Sequence, residues 1–263
     1  MDCSGGFRRM LNDDAITDYD AWGAAPEAVA LGKDEIHVWR VHLDDFDDGA
    51  LDRFKATLAP DEQARADRFV FPRDRNGFTA TRGILRELLS RYLHRAPAQI
   101  EFDYGPQGKP SLRERSSEKS IQFNVSHSHG VALLAFAVAR AVGVDVELVR
   151  PDFAGEGIAL RYFSPQEVNE LRSLPSSQRD EGFFLCWTRK EAYIKARSEG
   201  LHVPLESFHV SLTPGEPAIL QAADSSRWSL RSLRPAPRYA AALVGEGKQW
   251  QLQGWDWKPD REQ

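Results

Sequence analysis

The chain has 263 residues, 41 % apolar and 28 % charged, the balance of a soluble globular protein with one large domain or two modest ones. A net charge of -5 argues against non-specific nucleic-acid binding, and two cysteines, Cys3 and Cys186, do not make a disulfide framework. No apolar run approaches the ~20 residues of a membrane span. The opening Met1-Asp2-Cys3-Ser4-Gly5-Gly6 has no apolar stretch behind a basic start, so no secretory leader is expected and the cytoplasm is the default compartment. Any anion must be held by a local basic cluster, because the global field is negative.

Residues 1–33 lack periodicity and read as a loose lead-in. Residues 36–43 alternate like a strand. Pro60, Asp61 and Glu62 suit a first helical turn. A longer helix is predicted over residues 72–93, its apolar face carrying Phe78, Ile84, Leu85, Leu88, Leu89 and Leu93. Strands are predicted at residues 100–104, 121–125, 131–138 and 142–149, with a polar loop over residues 113–119. Ser164-Pro165-Gln166-Glu167 is a capping box with Pro at the first helical position. A helix over residues 177–197 and strands near residues 208–212, 228–233 and 239–244 complete the pattern, with a tail from residue 251.

Strand, helices and three strands thus occur twice. The order predicts an α+β fold of two similar halves, residues 34–140 and 141–250, with no residue-level repeat. A cleft between such halves is a preferred place for a small ligand.

Five segments could carry chemistry. In Gly143-Val144-Asp145-Val146-Glu147, the two carboxylates share a face of a strand and repel unless a cation lies between them, and oxygen donors favour magnesium. An exposed acidic strand end has the same spacing. In Trp187-Thr188-Arg189-Lys190-Glu191-Ala192-Tyr193-Ile194-Lys195, Glu191 and Lys195 stack on one helix face. They are either a surface ion pair or, if the face looks into a cleft, a metal ligand or base and a phosphate contact. Phe123-Asn124-Val125-Ser126-His127-Ser128-His129-Gly130 lies between two strands. Ser126 and His127 point to opposite sides of an extended chain, so they do not form a nucleophile–base pair, and no G-x-S-x-G elbow surrounds them. The segment is a structural turn or a phosphate seat. Tyr104-Gly105-Pro106-Gln107-Gly108-Lys109-Pro110 allows close backbone approach to a ligand or simply turns the chain. The arginines from Arg65 to Arg86, Arg82 among them, are solvated or paired, with one or two available for phosphate.

These segments, in this order, resemble the 4'-phosphopantetheinyl transferases of the larger, surfactin-synthetase-activating type over roughly residues 34–244. The matches are Gly108-Lys109-Pro110, Phe123 to Ser128, Gly143 to Glu147, Phe163-Ser164 and, most specifically, Trp187 to Lys195. Arg65-Ala66-Asp67-Arg68-Phe69 is similar to the family's first basic helix. The resemblance implies two similar α/β halves in a pseudo-two-fold arrangement with the active site in the cleft, the N-terminal half contributing to coenzyme A binding. It implies Asp145, Glu147 and Glu191 as magnesium ligands, with Glu191 also the base, directly or through water. Lys195, Ser126 and His127 would contact the coenzyme's phosphates. Lys109 and Arg65 would lie near the adenosine 3'-phosphate, with Gly108, Pro110 and Asn124 beside them. Glu62 departs from the pattern, standing where some members carry a second basic residue toward that phosphate.

The implied activity is magnesium-dependent transfer of phosphopantetheine from coenzyme A to a serine of an acyl or peptidyl carrier protein, as in secondary metabolite biosynthesis. The implied enzyme is a monomer, and the nucleophile belongs to the partner. A non-catalytic coenzyme A-binding module would be expected to have lost Asp145 or Glu191, and both are present. A magnesium-dependent phosphohydrolase is a further alternative.

Overall fold

The computed structural model describes residues 22–105, 108–113, 120–151, 155–198 and 203–259. Its first part runs β1 (Gly23–Ala24), β2 (Glu35–His42), α1 (Asp48–Thr57), α2 (Pro60–Ala66), α3 (Pro72–Leu93), β3 (Phe102–Tyr104), β4 (Pro110–Leu112), β5 (Ile121–Ser128) and β6 (Val131–Val138). Its second runs β7 (Val142–Leu148), α4 (Gly155–Tyr162), α5 (Pro165–Ser173), α6 (Ser176–Arg197), β8 (His209–Val210), β9 (Leu220–Gln221), β10 (Trp228–Leu233), β11 (Tyr239–Glu246) and β12 (Gln251–Asp256).

Helix ends follow local chemistry. Asp47 accepts from the Ala50 N–H at the start of α1, Glu62 reaches back to the Ala59 N–H at the start of α2, and Ser164 and Glu167 bond reciprocally at the start of α5. Both long helices, α3 and α6, have 22 residues and end on a left-handed residue, His94 and Ser198.

Two sheets stack face to face, ordered β1-β12-β2-β6-β5 and β10-β11-β7. The strand order β2-β6-β5 recurs as β7-β11-β10, so the duplication in element order is also one of topology. β6 is apolar along its length because both faces are covered. Ala132, Leu134 and Phe136 meet Ile84, Leu85, Leu88 and Leu89 of α3, while Leu133 and Ala135 meet Val144, Val146 and Leu243 of the other sheet. The outer face of the smaller sheet, at Ala240, Ala242 and Val244, lies under Ala192, Tyr193 and Ala196 of α6. The layers are therefore helix, sheet, sheet, helix. Each fully buried Leu or Ile here contributes about 2 kcal/mol of transfer free energy.

Three expectations change. Residues 251–256, expected in a tail, form β12, which pairs parallel with β2. Arg40 fixes it with two bonds to Asp256, 2.6 and 3.0 Å. In the expected lead-in, β1 pairs with β12; residues 1–21 lie outside the described residues. The strand expected over residues 121–125 runs on through Ser126, His127 and Ser128, and the reversal falls at His129, with φ 52°, and Gly130.

Candidate active site

β7 splits its residues by face. Val142, Val144 and Val146 enter the core between the sheets, which turns Gly143, Asp145 and Glu147 toward α6. A Cβ at Gly143 would collide with the Ala192 carbonyl and the Ala196 N–H, so the glycine lets the helix backbone rest on the strand. Ala192 and Ala196, both buried, are small for the same reason. That close approach carries their neighbours Glu191 and Lys195 to the two carboxylates.

Lys195 Nζ lies 2.6 Å from Asp145 Oδ1 and 3.1 Å from Ser126 Oγ. Ser126 Oγ donates to the same Asp145 oxygen at 2.7 Å, and Ser128 Oγ donates to Glu147 Oε2 at 2.6 Å. Asp145 Oδ2 is buried and has no hydrogen-bond partner among the described residues. Burial, and then the Asp145 charge, push the Glu191 carboxyl above its ordinary pKa, against the pull of Lys195. Glu147 is also raised, first by burial and then by Asp145, against its Ser128 hydrogen bond. Both glutamates thus feel the Asp145 charge, although among the described residues no three His, Cys, Asp or Glu side chains converge as a ready metal cluster.

β5 stitches the halves together. Asn124 Oδ1 accepts from Val144 N–H at 2.8 Å, Ser126 Oγ from Val146 at 3.4 Å, and Ser128 Oγ from Leu148 at 3.3 Å. Alternate side chains of one edge strand satisfy alternate N–H groups of the other, which would otherwise be buried without partners. Ser126 therefore has a structural role as well as its place beside Lys195.

A cavity of about 470 Å³ opens from this centre between the halves, and Glu191 and Lys195 form part of its wall. Arg65, Gly108, Lys109, Pro110, Asn124 and His127 also line it, so one space gathers these sequence-derived candidates. Ser126, Asp145 and Glu147 lie behind the wall, linked to it through Lys195. Crowding at the wall, and then the Lys195 charge, lower the His127 pKa. Gly108 has φ 73°, a left-handed turn that places Lys109, while Pro106 and Gln107 lie outside the described residues. Lys109 donates to the Lys195 carbonyl and to Ser198 Oγ at 2.9 Å, capping α6 from the other half. Burial, and then Lys195, hold its pKa down at about 8.

Sequence reasoning did not name Phe78, Thr81 and Leu85 as site residues, and held Arg82 only among several arginines of which one or two could meet a phosphate, yet the four form one stripe of the cavity wall along α3. Their spacing of three, one and three residues is a helical face, and an arginine within an apolar stripe was the available signal. Arg82 is buried among the rings of Phe78, Phe102 and Tyr104, and among the described residues its Nη1 has no hydrogen-bond partner. Glu62, expected to disturb the phosphate region, is only 1 % exposed and does not line the cavity. It binds Arg86 at 2.7 Å and approaches Arg82 at 3.4 Å, so its charge is already matched.

Neither Arg189 nor Lys190 belongs to the centre. Arg189 bonds Ser211 and Ser232, and Lys190 bonds Glu167 and the carbonyls of Leu205 and Phe208. Trp187 packs on Phe183 and Tyr162 as core.

Two family models match the chain: the 4'-phosphopantetheinyl transferase superfamily over residues 141–244, and the 4'-phosphopantetheinyl transferase N-terminal model over residues 47–139. A 4'-phosphopantetheinyl transferase of Nostoc sp. strain PCC 7120, HetI, is 45 % identical over 234 residues, 89 % of this chain and 97 % of that one. The chain belongs to the 4'-phosphopantetheinyl transferase superfamily. The transferase is also 40 % identical over 148 residues to a putative family member of Synechocystis sp. strain PCC 6803, slr0495, covering 56 % of this chain and 60 % of that one. To Sfp of Bacillus subtilis strain 168 it is 27 % identical over 193 residues, covering 73 % and 84 %. The two family matches meet at residues 139–141, where β6 hands over to β7 and the carboxylate strand begins.

Proposed function

We propose that the transferase moves the 4'-phosphopantetheine group of coenzyme A to a serine hydroxyl of an acyl or peptidyl carrier protein and releases 3',5'-ADP. The observation that carries this reading is a cavity with apolar walls whose lining includes Glu191, Lys195 and three further cations, Arg65, Arg82 and Lys109, with Asp145 bonded to Lys195 and Glu147 behind that wall. A ligand with an extended arm and several phosphates needs both surfaces.

Magnesium fits the donor set. Asp145 Oδ2, without a hydrogen-bond partner among the described residues, and Glu147 and Glu191, both raised first by burial and then by the Asp145 charge, are hard oxygen donors short of positive charge. These three residues would hold it, and when bound it supplies neutralisation of the diphosphate charge. The remaining work belongs to the chain's side chains. Glu191 takes the proton of the carrier serine, and its raised pKa makes it a stronger base than an ordinary carboxylate. The serine oxygen forms a bond to the phosphorus of the pantetheine phosphate as the bond from that phosphorus to the bridging oxygen breaks. Lys195 donates to the oxygen that leaves with 3',5'-ADP. Arg65, Lys109 and Arg82 hold the 3'-phosphate end, and His127 and Ser126 help orient the diphosphate. On this reading the enzyme is a cytoplasmic monomer. No described helix is long and apolar enough to cross a membrane.

The test is incubation with coenzyme A, with and without apo-carrier, read by intact mass and nucleotide analysis. Gain of phosphopantetheine on the carrier, with 3',5'-ADP formed only when carrier is present, is the expected result. Release of free phosphopantetheine without carrier would indicate a phosphohydrolase, and binding without turnover would indicate a coenzyme-binding module.

A further inference from the structure

Residues 67–75, the link between α2 and α3 and the first turn of α3, are exposed without interruption. Val70 is 85 % exposed and Phe71 67 %, two of the most exposed large apolar side chains described. Scattered exposed apolar residues are ordinary, but here they are contiguous and set among charges of one prevailing sign. Over residues 68–75 there are three arginines against one aspartate, in a chain whose net charge is -5. A negative molecule thus carries a local basic, apolar patch.

The patch touches the active site at two points. Phe69 packs on Phe78 with ring centroids 5.5 Å apart, and Phe78 lines the cavity. On the other side lies the β5–β6 reversal, where His129 Nδ1 is 3.1 Å from Ser128 Oγ, the hydroxyl bonded to Glu147. Partial burial lowers the His129 pKa, and the charges of Arg150 and Arg73 lower it further, which puts both arginines within electrostatic reach of that ring. Arg73 begins α3 in the N-terminal half and Arg150 follows β7 in the C-terminal half. The patch therefore spans the junction of the halves beside the carboxylates.

We infer that residues 68–75, with His129 and Arg150 beside them, form a docking surface for an acidic face of the carrier protein bearing a small apolar spot. The inference rests on the transferase reading above. Val70 and Phe71 supply the contact to be desolvated, and Arg68, Arg73 and Arg75 supply complementary charge around it. Docking there sets the carrier serine down beside Glu147 and Glu191 without the carrier entering the coenzyme cavity. No residue of the patch takes part in the chemistry, so its loss is separable from loss of catalysis.

The test compares the wild type with a Val70→Glu/Phe71→Ser double variant and with Arg73→Glu. Steady-state loading of an acidic apo-carrier is read by intact mass at low and high salt, with sedimentation of each protein alone. The expected result is a carrier KM raised about tenfold or more in both variants, with the coenzyme A KM and the melting temperature held. The salt dependence of the carrier KM should flatten in Arg73→Glu. Unchanged carrier KM in both variants, with the wild type active, overturns the surface and leaves the transferase reading standing. A wild-type dimer that the double variant dissociates overturns it in favour of self-association. A wild type that loads no carrier removes both readings together.

Discussion

Gly143 and Ala192 are in backbone contact: the Ala192 carbonyl occupies space that a side chain at Gly143 would need. This places α6 directly on β7, so that a strand carrying two acids and a helix carrying an acid and a lysine share one small volume. Gly143→Ala should destabilise the fold by about 2 kcal/mol, because the obstacle is backbone and does not rotate away. It should lower kcat more than it raises the coenzyme A KM, since the acids and Lys195 separate while the cavity wall on α3 remains. Thermal melting with steady-state kinetics checks both effects. Activity unchanged beside lowered stability would separate the helix contact from catalysis.

Glu191→Gln keeps volume and removes the base. A loss of about 10²- to 10⁴-fold in kcat is expected with the melting temperature held or raised, because a buried carboxyl with a raised pKa is replaced by a neutral group. Asp145→Ala should also nearly abolish transfer. It leaves Lys195 without its partner at 2.6 Å and should cost stability as well. Loading assays at matched folded concentration decide between these outcomes.

The raised carboxyls give a signed pH dependence. Glu147 and Glu191 keep protons in the folded chain at pH values where unfolded glutamates, at about 4.5, have lost them. In that window the native state binds more protons, so its stability falls as pH rises. Without divalent cations the melting temperature should decline as pH climbs above about 4.5, and the Glu147→Gln/Glu191→Gln double variant should flatten the decline. Added magnesium should restore most stability at the upper end of the window, where the acids are charged. A melting curve series in chelator and in magnesium gives the answer, and a wild-type stability that rises through the window would contradict the assignment.

Lys109, held at about 8, loses its charge in mildly alkaline solution. The coenzyme A KM should rise above pH 8 in the wild type, and Lys109→Arg should move that rise to higher pH. For stability the sign is opposite to that of the acids. Between about 8 and the ordinary 10.5 the unfolded chain binds more protons, so this group's contribution increases with pH. Binding and melting measured across the same buffers separate the two effects.

Carrier docking on the C-terminal half has its own prediction. In the segment after β7, Leu160 is 57 % exposed on α4, Arg161 lies over the Tyr162 ring, and Ile158 packs into the core. Residues 152–154, Phe153 among them, lie outside the described residues. Arg161→Glu and Arg150→Glu should raise the carrier KM without altering coenzyme A binding. Kinetics at two salt concentrations test this: an unaltered carrier KM in Arg161→Glu alone would confine docking to residues 68–75 and Arg150, and an unaltered carrier KM in Arg150→Glu would count against Arg150 as part of that surface.

Much of the site was legible because its geometry is local. The two-residue period of β7 put Asp145 and Glu147 on one face, and the four-residue step of α6 aligned Glu191 with Lys195. What was not legible depends on long-range packing. β12 pairs with a strand more than 200 positions earlier, and Gln251-Leu252-Gln253-Gly254-Trp255-Asp256 carries no local mark of that partner. Lys190 sits beside Glu191 in sequence, yet it turns to the buried Glu167 because α6 has core on that side. Glu62 read as a charge facing a phosphate until Arg86 supplied its partner from the next helix. Ser126 read as part of a turn or phosphate seat between two strands, because its bonds to Val146 and Asp145 lie in the other half.

The most direct test of the central claim, that Asp145, Glu147 and Glu191 act as one cation-requiring centre on coenzyme A, is calorimetric titration with coenzyme A in magnesium and in chelator. It is run on the wild type and on Asp145→Ala. Magnesium is expected to tighten binding to the wild type by about tenfold or more and to leave Asp145→Ala unaffected, because the metal must join protein acids to the diphosphate. Equal affinity of the wild type in magnesium and in chelator would contradict the claim.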